Sequence, residues 1–354
     1  MQHQSPPAGI PRPLTAHDAD RRDPGPVLPN PVLEPFSILA TPMQAAEPIT
    51  APRGCFRLGL WRLADPKISL ASMAGLFLGA CVAWHDGPLE WTWLFVAVLG
   101  IFCLEVAKAA SGELFDFDSG ADLAVGSDDR SPFSGGKRVL VEGLLTRRQT
   151  IAIAAVAYGL GIAAGLAVVI GCEVRVLWIG LAGVGLAYFY EAPPLKLAYR
   201  GWGELAVAAA YGPLIAAGLY LLERHTLPLT IVAAGLPLGI LIAAFLWINE
   251  FPDYHADRAA GKRNLVVRLG RRRASLLFAG WILLAQILIA LLPVWGLPLG
   301  SLLGWTSLVP GAIAAQILIE HSDHTRQIVP AQALTLASFL TYAITGGLGI
   351  LLTA

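Results

Sequence analysis

An all-α polytopic membrane protein, with about nine transmembrane helices around a central cavity, is the fold class this chain calls for, on three observations. Of its 354 residues, 55% are hydrophobic and only 14% are charged, whereas a soluble domain carries about 25% charged residues. Its mean hydropathy is +0.61. From Ile68 onward, long apolar runs alternate with short polar connectors. Each run is near the ~20 residues that a helix needs to cross ~30 Å of hydrocarbon. Helices are the expected spanning element because lipid offers no partner for an open backbone.

Taken in order, residues 1–55 hold nearly half of the 25 prolines and no sustained periodicity, the composition of a disordered cytosolic tail. They lack the basic start and apolar core of a signal peptide. The membrane domain follows over 56–354. Spans are expected at 68–84, 89–111, 148–170, 174–191, 204–222, 228–248, 274–293, 298–318 and 329–353, the first and fourth being short. Gly75-x-x-x-Gly79 and Gly235-x-x-x-Gly239 are read as places where helices pack closely.

The connectors set the orientation. Those after the even-numbered spans carry Arg130, Lys137, Arg138, Arg147, Arg148, Lys196, Arg200, Arg258, Lys262, Arg263 and further arginines, whereas the opposite ones offer Arg175 and Arg224. The positive-inside rule therefore puts the N-terminus and the even connectors in the cytoplasm and the C-terminus outside, in an inner (cytoplasmic) membrane. A formal net charge of zero gives no bulk attraction for nucleic acid. Without a C-x-x-C pair, the four cysteines suggest neither a disulfide framework nor a zinc site.

Two acidic clusters stand where apolar segments meet these cytoplasmic connectors. GELFDFDSGAD spans Gly112–Asp122, and NEFPDYHADRAAGKR spans Asn249–Arg263. Carboxylates at such positions are expensive to desolvate and usually serve an ion or a substrate. Together they would hold a hard divalent cation such as Mg²⁺ through oxygen ligands and share it with a phosphorylated substrate. If the sixth helix continues past the membrane, Asn249, Asp253 and Asp257 fall at i, i+4, i+8 on one face. Glu113 and Asp116 share a face at i, i+3, and a bend at Ser119-Gly120 is needed to bring Asp122 back. Asp118 is expected to face away. The bland alternative is a pair of solvated helix ends neutralised by nearby arginines and lysines.

Basic residues in the connectors suit an anionic group. Gly135-Gly136 permits close backbone approach, with Lys137 and Arg138 as donors to phosphate oxygens; the alternative for both is topology alone. In YEAPPLKLAYRGWGE, Pro193-Pro194 predicts a stiff, extended course that holds Lys196 at a cavity mouth. Tyr190, Lys196 and Arg200 read equally well as interfacial anchors. Lys108 either pairs with Glu105 inside the membrane or reaches a diphosphate.

With SPFSGGKRVLVEGLL, YEAPPLKLAYRGWGE and NEFPDYHADRAAGKRNLVVRLG in this order along the sequence, the chain resembles the UbiA-type intramembrane polyprenyltransferases over residues 68–353, and most closely their menaquinone branch, the 1,4-dihydroxy-2-naphthoate polyprenyltransferases. The resemblance implies nine helices around a lipid-open cavity, with two aspartate-rich motifs holding Mg²⁺ and a prenyl diphosphate. The second motif falls on Asn249, Asp253 and Asp257. In the first, Asp116 and Asp122 match, but Gly112 stands in place of an asparagine and Glu113 in place of an aspartate. Arg138, Lys196 and Tyr190 match the basic positions and the loop tyrosine of the family. The implied metal ligands are Glu113, Asp116, Asp122, Asp253 and Asp257. Asp116, Asp253, Lys196 and Tyr190 are implied in catalysis, and Arg138, Lys137, Asn249, Lys108 and Arg200 in substrate binding. The implied reaction moves a polyprenyl group from its diphosphate to an aromatic, lipid-soluble acceptor. The rival class is a transporter or lipid carrier, which would place its ionisable groups near mid-membrane.

Overall fold

The computed structural model describes residues 55–64, 66–124, 126, 129–134 and 136–353. Of the tail expected at 1–55 only Cys55 lies among them, and Gly135 and the C-terminal Ala354 lie outside. The regular secondary structure among the described residues is helical, apart from one isolated bridge between Ser131 and Ser134.

A helix α1 (Cys55–Ala64) precedes α2 (Pro66–His85), and the two axes meet at 43°. Helix α3 (Trp91–Ser119) runs 29 residues, longer than the expected span, so Glu113, Asp116 and Asp118 stand on its last turns rather than in a loop. Gly120 closes α3 in the left-handed conformation (φ +80°), which glycine adopts without steric cost. The chain then turns into the short α4 (Ala121–Ala124), so the expected bend is present.

Next come α5 (Arg147–Gly171), started by a Thr146/Gln149 capping box, and α6 (Val176–Phe189). With only 14 residues, α6 rises ~21 Å, less than a full hydrocarbon crossing. The fifth span is interrupted: α7 (Gly203–Ala209) and α8 (Ile215–Arg224) flank a π-helical turn over Ala210–Leu214 containing Pro213. Proline lacks the N–H that a regular α-turn requires.

Helix α9 (Leu229–Asn249) is central, with Leu238, Leu241, Ala243, Ala244 and Ile248 fully enclosed. It ends at Asn249. The expected continuous helix through Asp257 is instead broken by turns around Pro252, and α10 (Tyr254–Ala259) starts afresh. After α11 (Leu265–Leu269) the bundle is completed by α12 (Arg271–Leu291), a 3₁₀ stretch leading into α13 (Leu308–His321), and α14 (Thr325–Thr341) with α15 (Gly347–Leu352) across a second π-turn. Among the described residues seven helices are long and apolar enough to cross a membrane, or eight if α1 and α2 form one bent span. The nine expected spans all correspond to apolar helical segments, with α6 the short one.

Large apolar side chains such as Phe95, Val156, Ile170 and Trp178 face outward, as expected where lipid is the solvent. Close glycine contacts draw the helices together. A Cβ on Gly75 would lie 2.6 Å from Tyr211 O, and one on Gly79 would lie 2.9 Å from Ala216 O. A Cβ on Gly212 would lie 2.5 Å from Gly239 Cα. Both glycine pairs thus serve the interrupted fifth span, which is wedged between α2 and α9.

Candidate active site

A polar cavity of about 680 Å³ opens where α3, α9 and α10 end. Asp116 lines it from α3, and Asn249, Glu250, Asp253 and Asp257 line it from the end of α9 to α10. The break at Pro252 therefore preserves the shared face that the i, i+4, i+8 spacing predicts. Asn249 Oδ1 accepts from Gln332 Nε2 at 3.0 Å, and Asp257 Oδ2 accepts from Asn264 Nδ2 at 2.8 Å. These bonds fix two of the three side chains.

The basic wall comes from the loop after α4. Arg130, Lys137 and Arg138 line the cavity, and Phe133 stacks edge-on against Phe245 of α9, 5.9 Å between centroids, pinning the loop across the opening. Arg138 donates from Nη1 to the backbone oxygen of Asp122 at 2.8 Å and lies 3.5 Å from Glu142. Gly136 (φ +72°) lets the loop pass over Asp122, where a Cβ would lie 2.7 Å from the carboxylate carbon.

Asp122 is buried, and its Oδ2 has no hydrogen-bond partner among the described residues. Burial, and then the neighbouring Asp116 charge, push its carboxyl up to about 8. Glu113 is also buried, but its Oε1 accepts from Leu140 N at 2.9 Å. This carboxylate holds the loop backbone and does not line the cavity. Asp118 points outward to Arg147, with a 2.9 Å bond, as expected.

Three further expectations are modified. The 190–196 segment turns back on itself instead of running extended: Lys196 N donates to Ala192 O at 3.0 Å, and Ala198 N to Tyr190 O at 2.9 Å. Lys196 is exposed, with Nζ 5.3 Å from the Tyr199 ring centre. Arg200 is exposed too, and its carbonyl accepts from Arg268 at 2.9 Å. Neither lines the cavity; the residues brought to it from this connector are Tyr190 and Glu191. Lys108 does line it, with its ammonium 4.8 Å over the Tyr190 ring, while Glu105 takes hydrogen bonds from Ser72 and Tyr211.

Sequence reasoning assigned no site role to the cation at the centre. Lys262 Nζ lies 3.8 Å from Asp116 Oδ2 and 3.9 Å from Asp257 Oδ1, with only 17% of its side chain exposed. Read along the chain, it belonged to a run of surface charges. Asp116, Asp257 and Glu191 hold the Lys262 ammonium well above its usual range despite burial. Tyr199, also missed, donates to Asp116 Oδ1 at 3.1 Å. Glu191 is pushed up to about 7 by burial and then by Asp116, and Asp257 to about 6 by burial, with Lys262 opposing.

A second, apolar cavity of about 210 Å³ lies among α3, α5, α6 and the interrupted fifth span, lined by Leu104, Ile179, Leu186, Leu214 and Leu219 among others. Lys108, Tyr190, Val207 and Tyr211 line both cavities. These four side chains form the neck at which the two cavities adjoin, and side by side the cavities suit a molecule with an anionic head and a hydrocarbon tail.

Residues 72–351 match the model of the UbiA prenyltransferase family. The chain belongs to that family. Its 1,4-dihydroxy-2-naphthoate octaprenyltransferase relative from Escherichia coli (strain K12) is 27% identical over 265 residues, covering 73% of this chain and 82% of that protein. The enzyme of the same name from Bacillus subtilis (strain 168) is 24% identical, covering 67% and 74%. A UbiA homologue from Archaeoglobus fulgidus, solved bound to GPP and Mg²⁺, shares the fold at a TM-score of 0.54 and 18% identity, over 83% of this chain and all of that one. As a UbiA-family member the protein is an integral membrane prenyltransferase, which decides against the transporter reading.

Hard oxygen donors line the cavity, and beside it Asp122 Oδ2 is buried with no hydrogen-bond partner among the described residues, so the residues suit Mg²⁺. Among the described residues no three acidic, histidine or cysteine side chains are already gathered as a metal site. Mg²⁺ does not require that, since it is commonly held by one or two carboxylates together with substrate phosphates.

Proposed function

We propose that the protein transfers a polyprenyl group from a prenyl diphosphate to an aromatic quinone precursor, 1,4-dihydroxy-2-naphthoate or a ring of that class, at the cytoplasmic face of the membrane. The observation that carries this reading is the neck: an acid-and-base-lined cavity adjoins an apolar one at Lys108, Tyr190, Val207 and Tyr211. A diphosphate in the first with its chain in the second places the allylic carbon at the neck. The naphthoate acceptor rests on the names of the two relatives above.

Asp116, Asp253 and Asp257, with Asp122 beside them, would hold Mg²⁺, which when bound neutralises diphosphate charge and so eases departure of the leaving group. Lys137, Arg138 and Lys108 line the same cavity and add fixed positive charge to the leaving oxygens. As the allylic C–O bond breaks, its electron pair stays on the diphosphate. The apolar walls keep water from the carbocation until a ring carbon of the acceptor attacks. That carbon then sheds its proton, or carbon dioxide where it bears a carboxylate.

The test is mass spectrometry of products made by purified protein from geranylgeranyl diphosphate and a panel of naphthoate, benzoate and porphyrin acceptors, with Asp253→Asn alongside. A prenylated naphthoate with the native protein, and at least ~100-fold less with the variant, is expected. Prenylation of another acceptor class alone would overturn the acceptor assignment.

A further inference from the structure

We propose that Tyr211 is the side chain that lies against the allylic carbon at the neck and steadies its positive charge as the C–O bond ionises. This rests on the prenyl-diphosphate reading above and assigns that site a residue no motif points to.

Two tyrosines reach the neck. The ring of Tyr190 already carries the Lys108 ammonium at 4.8 Å, and a second cation on the same ring would be repelled. Lys108 also lines the acidic cavity that would take the diphosphate. Among the described residues the Tyr211 ring bears no such cation, and it borders both cavities. Its hydroxyl donates to Glu105 Oε2 at 3.0 Å, and Ser72 donates to the other oxygen of that carboxylate. Donation to a carboxylate enriches the ring in electron density, and an electron-rich ring face attracts a cation.

The backbone supports the same assignment. Tyr211 sits in the π-turn of the fifth span, and such turns are rare and recur at functional sites. Here the turn is clamped from both sides. Gly75 allows α2 within contact of Tyr211 O, and Gly212 packs against Gly239 of α9. A side chain held this firmly meets the developing charge without reorganising.

The step balances within the bound substrate. The C–O bond breaks, both electrons go to the bridging oxygen, and the cation is delocalised over the allyl unit. Recombination through another oxygen of the same phosphate moves an isotopic label. Geranyl diphosphate carrying ¹⁸O at the bridging position, incubated with Mg²⁺ and no acceptor, therefore reports ionisation directly. Tyr211→Leu should lower the exchange rate ~30-fold, equal to about 2 kcal/mol at 1.36 kcal/mol per decade. Its Kd for geranyl diphosphate by calorimetry should stay within about threefold of native, since a cation–π contact forms only as charge develops. Tyr211→Phe keeps the ring face but loses the hydroxyl donation to Glu105, so its exchange rate should fall between those of the native protein and Tyr211→Leu, with Kd again near native.

The assignment is overturned if Tyr211→Leu exchanges like the native protein, if Tyr211→Phe falls as far as Tyr211→Leu, or if exchange and binding are lost together, which would mark a structural role. No exchange or hydrolysis by the native protein would overturn the prenyl-diphosphate reading itself, and this assignment with it.

Discussion

The Glu191 carboxylate occupies the space that a side chain on Gly112 would fill: a Cβ built on Gly112 would collide with Oε2 and lie 3.1 Å from Cδ. Where the family resemblance implies an asparagine on the helix, this chain has no side chain, and a carboxylate from the connector after α6 lies there.

Gly112→Asn should therefore destabilise the protein by about 1–3 kcal/mol through overpacking, visible as a lower unfolding midpoint in detergent. Adding Glu191→Ala should recover most of the loss. A double variant no more stable than Gly112→Asn would show that the two positions do not compete for space.

Acidification should stabilise the metal-free protein between pH 8 and pH 6. Asp122, Glu191 and Asp257 are raised to about 8, 7 and 6 by burial, so the folded state holds protons that the unfolded chain has released. That stability is fully present below the unfolded carboxylate range and is lost as pH rises through the folded values, by at most about 1.4 kcal/mol per pH unit per proton. Unfolding midpoints in EDTA at pH 6, 7 and 8 should fall in that order. Excess Mg²⁺ favours the ionised carboxylates and should flatten the trend.

Lys262→Met should make folding depend on Mg²⁺. Without the ammonium, Asp116 and Asp257 lose the cation that stands between them, and an uncompensated buried charge costs several kcal/mol. The midpoint of the variant should drop in EDTA and rise with Mg²⁺ by more than the native midpoint does. Equal Mg²⁺ responses would contradict a role for Lys262 in balancing these carboxylates.

Glu113→Gln and Asp118→Asn should separate cleanly. Glu113 accepts the Leu140 amide beneath the basic loop, so its loss should raise the KM for prenyl diphosphate through Lys137 and Arg138. Asp118 makes an exposed pair with Arg147, worth about 0–1 kcal/mol, and its variant should behave like the native enzyme. Steady-state kinetics on both decides the matter, and a raised KM in Asp118→Asn alone would reverse the assignment.

Cysteine labelling in a background lacking the native four should place positions 112–147 in the cytoplasm and position 354 outside, following the Lys/Arg bias. Labelling of position 354 only after permeabilisation would invert the topology.

Apolar run length and the two carboxylate clusters were legible along the chain because both are local properties. Helix period and bilayer thickness set the spans, and i, i+4 spacing placed Asn249, Asp253 and Asp257 on one face even though Pro252 broke the helix. The glycine pairs were likewise legible as contacts, though not their partners. Chain folding alone decided which groups meet across long sequence distances. It set Lys262 between Asp116 and Asp257, brought Glu191 against Gly112, turned Glu113 to the loop backbone, and left Lys196 and Arg200 at the surface. Tyr211 had no signal at all, because a tyrosine in an apolar span reads as packing until two cavities are seen to meet beside it. Periodicity records which face a residue occupies; only packing determines what stands opposite that face.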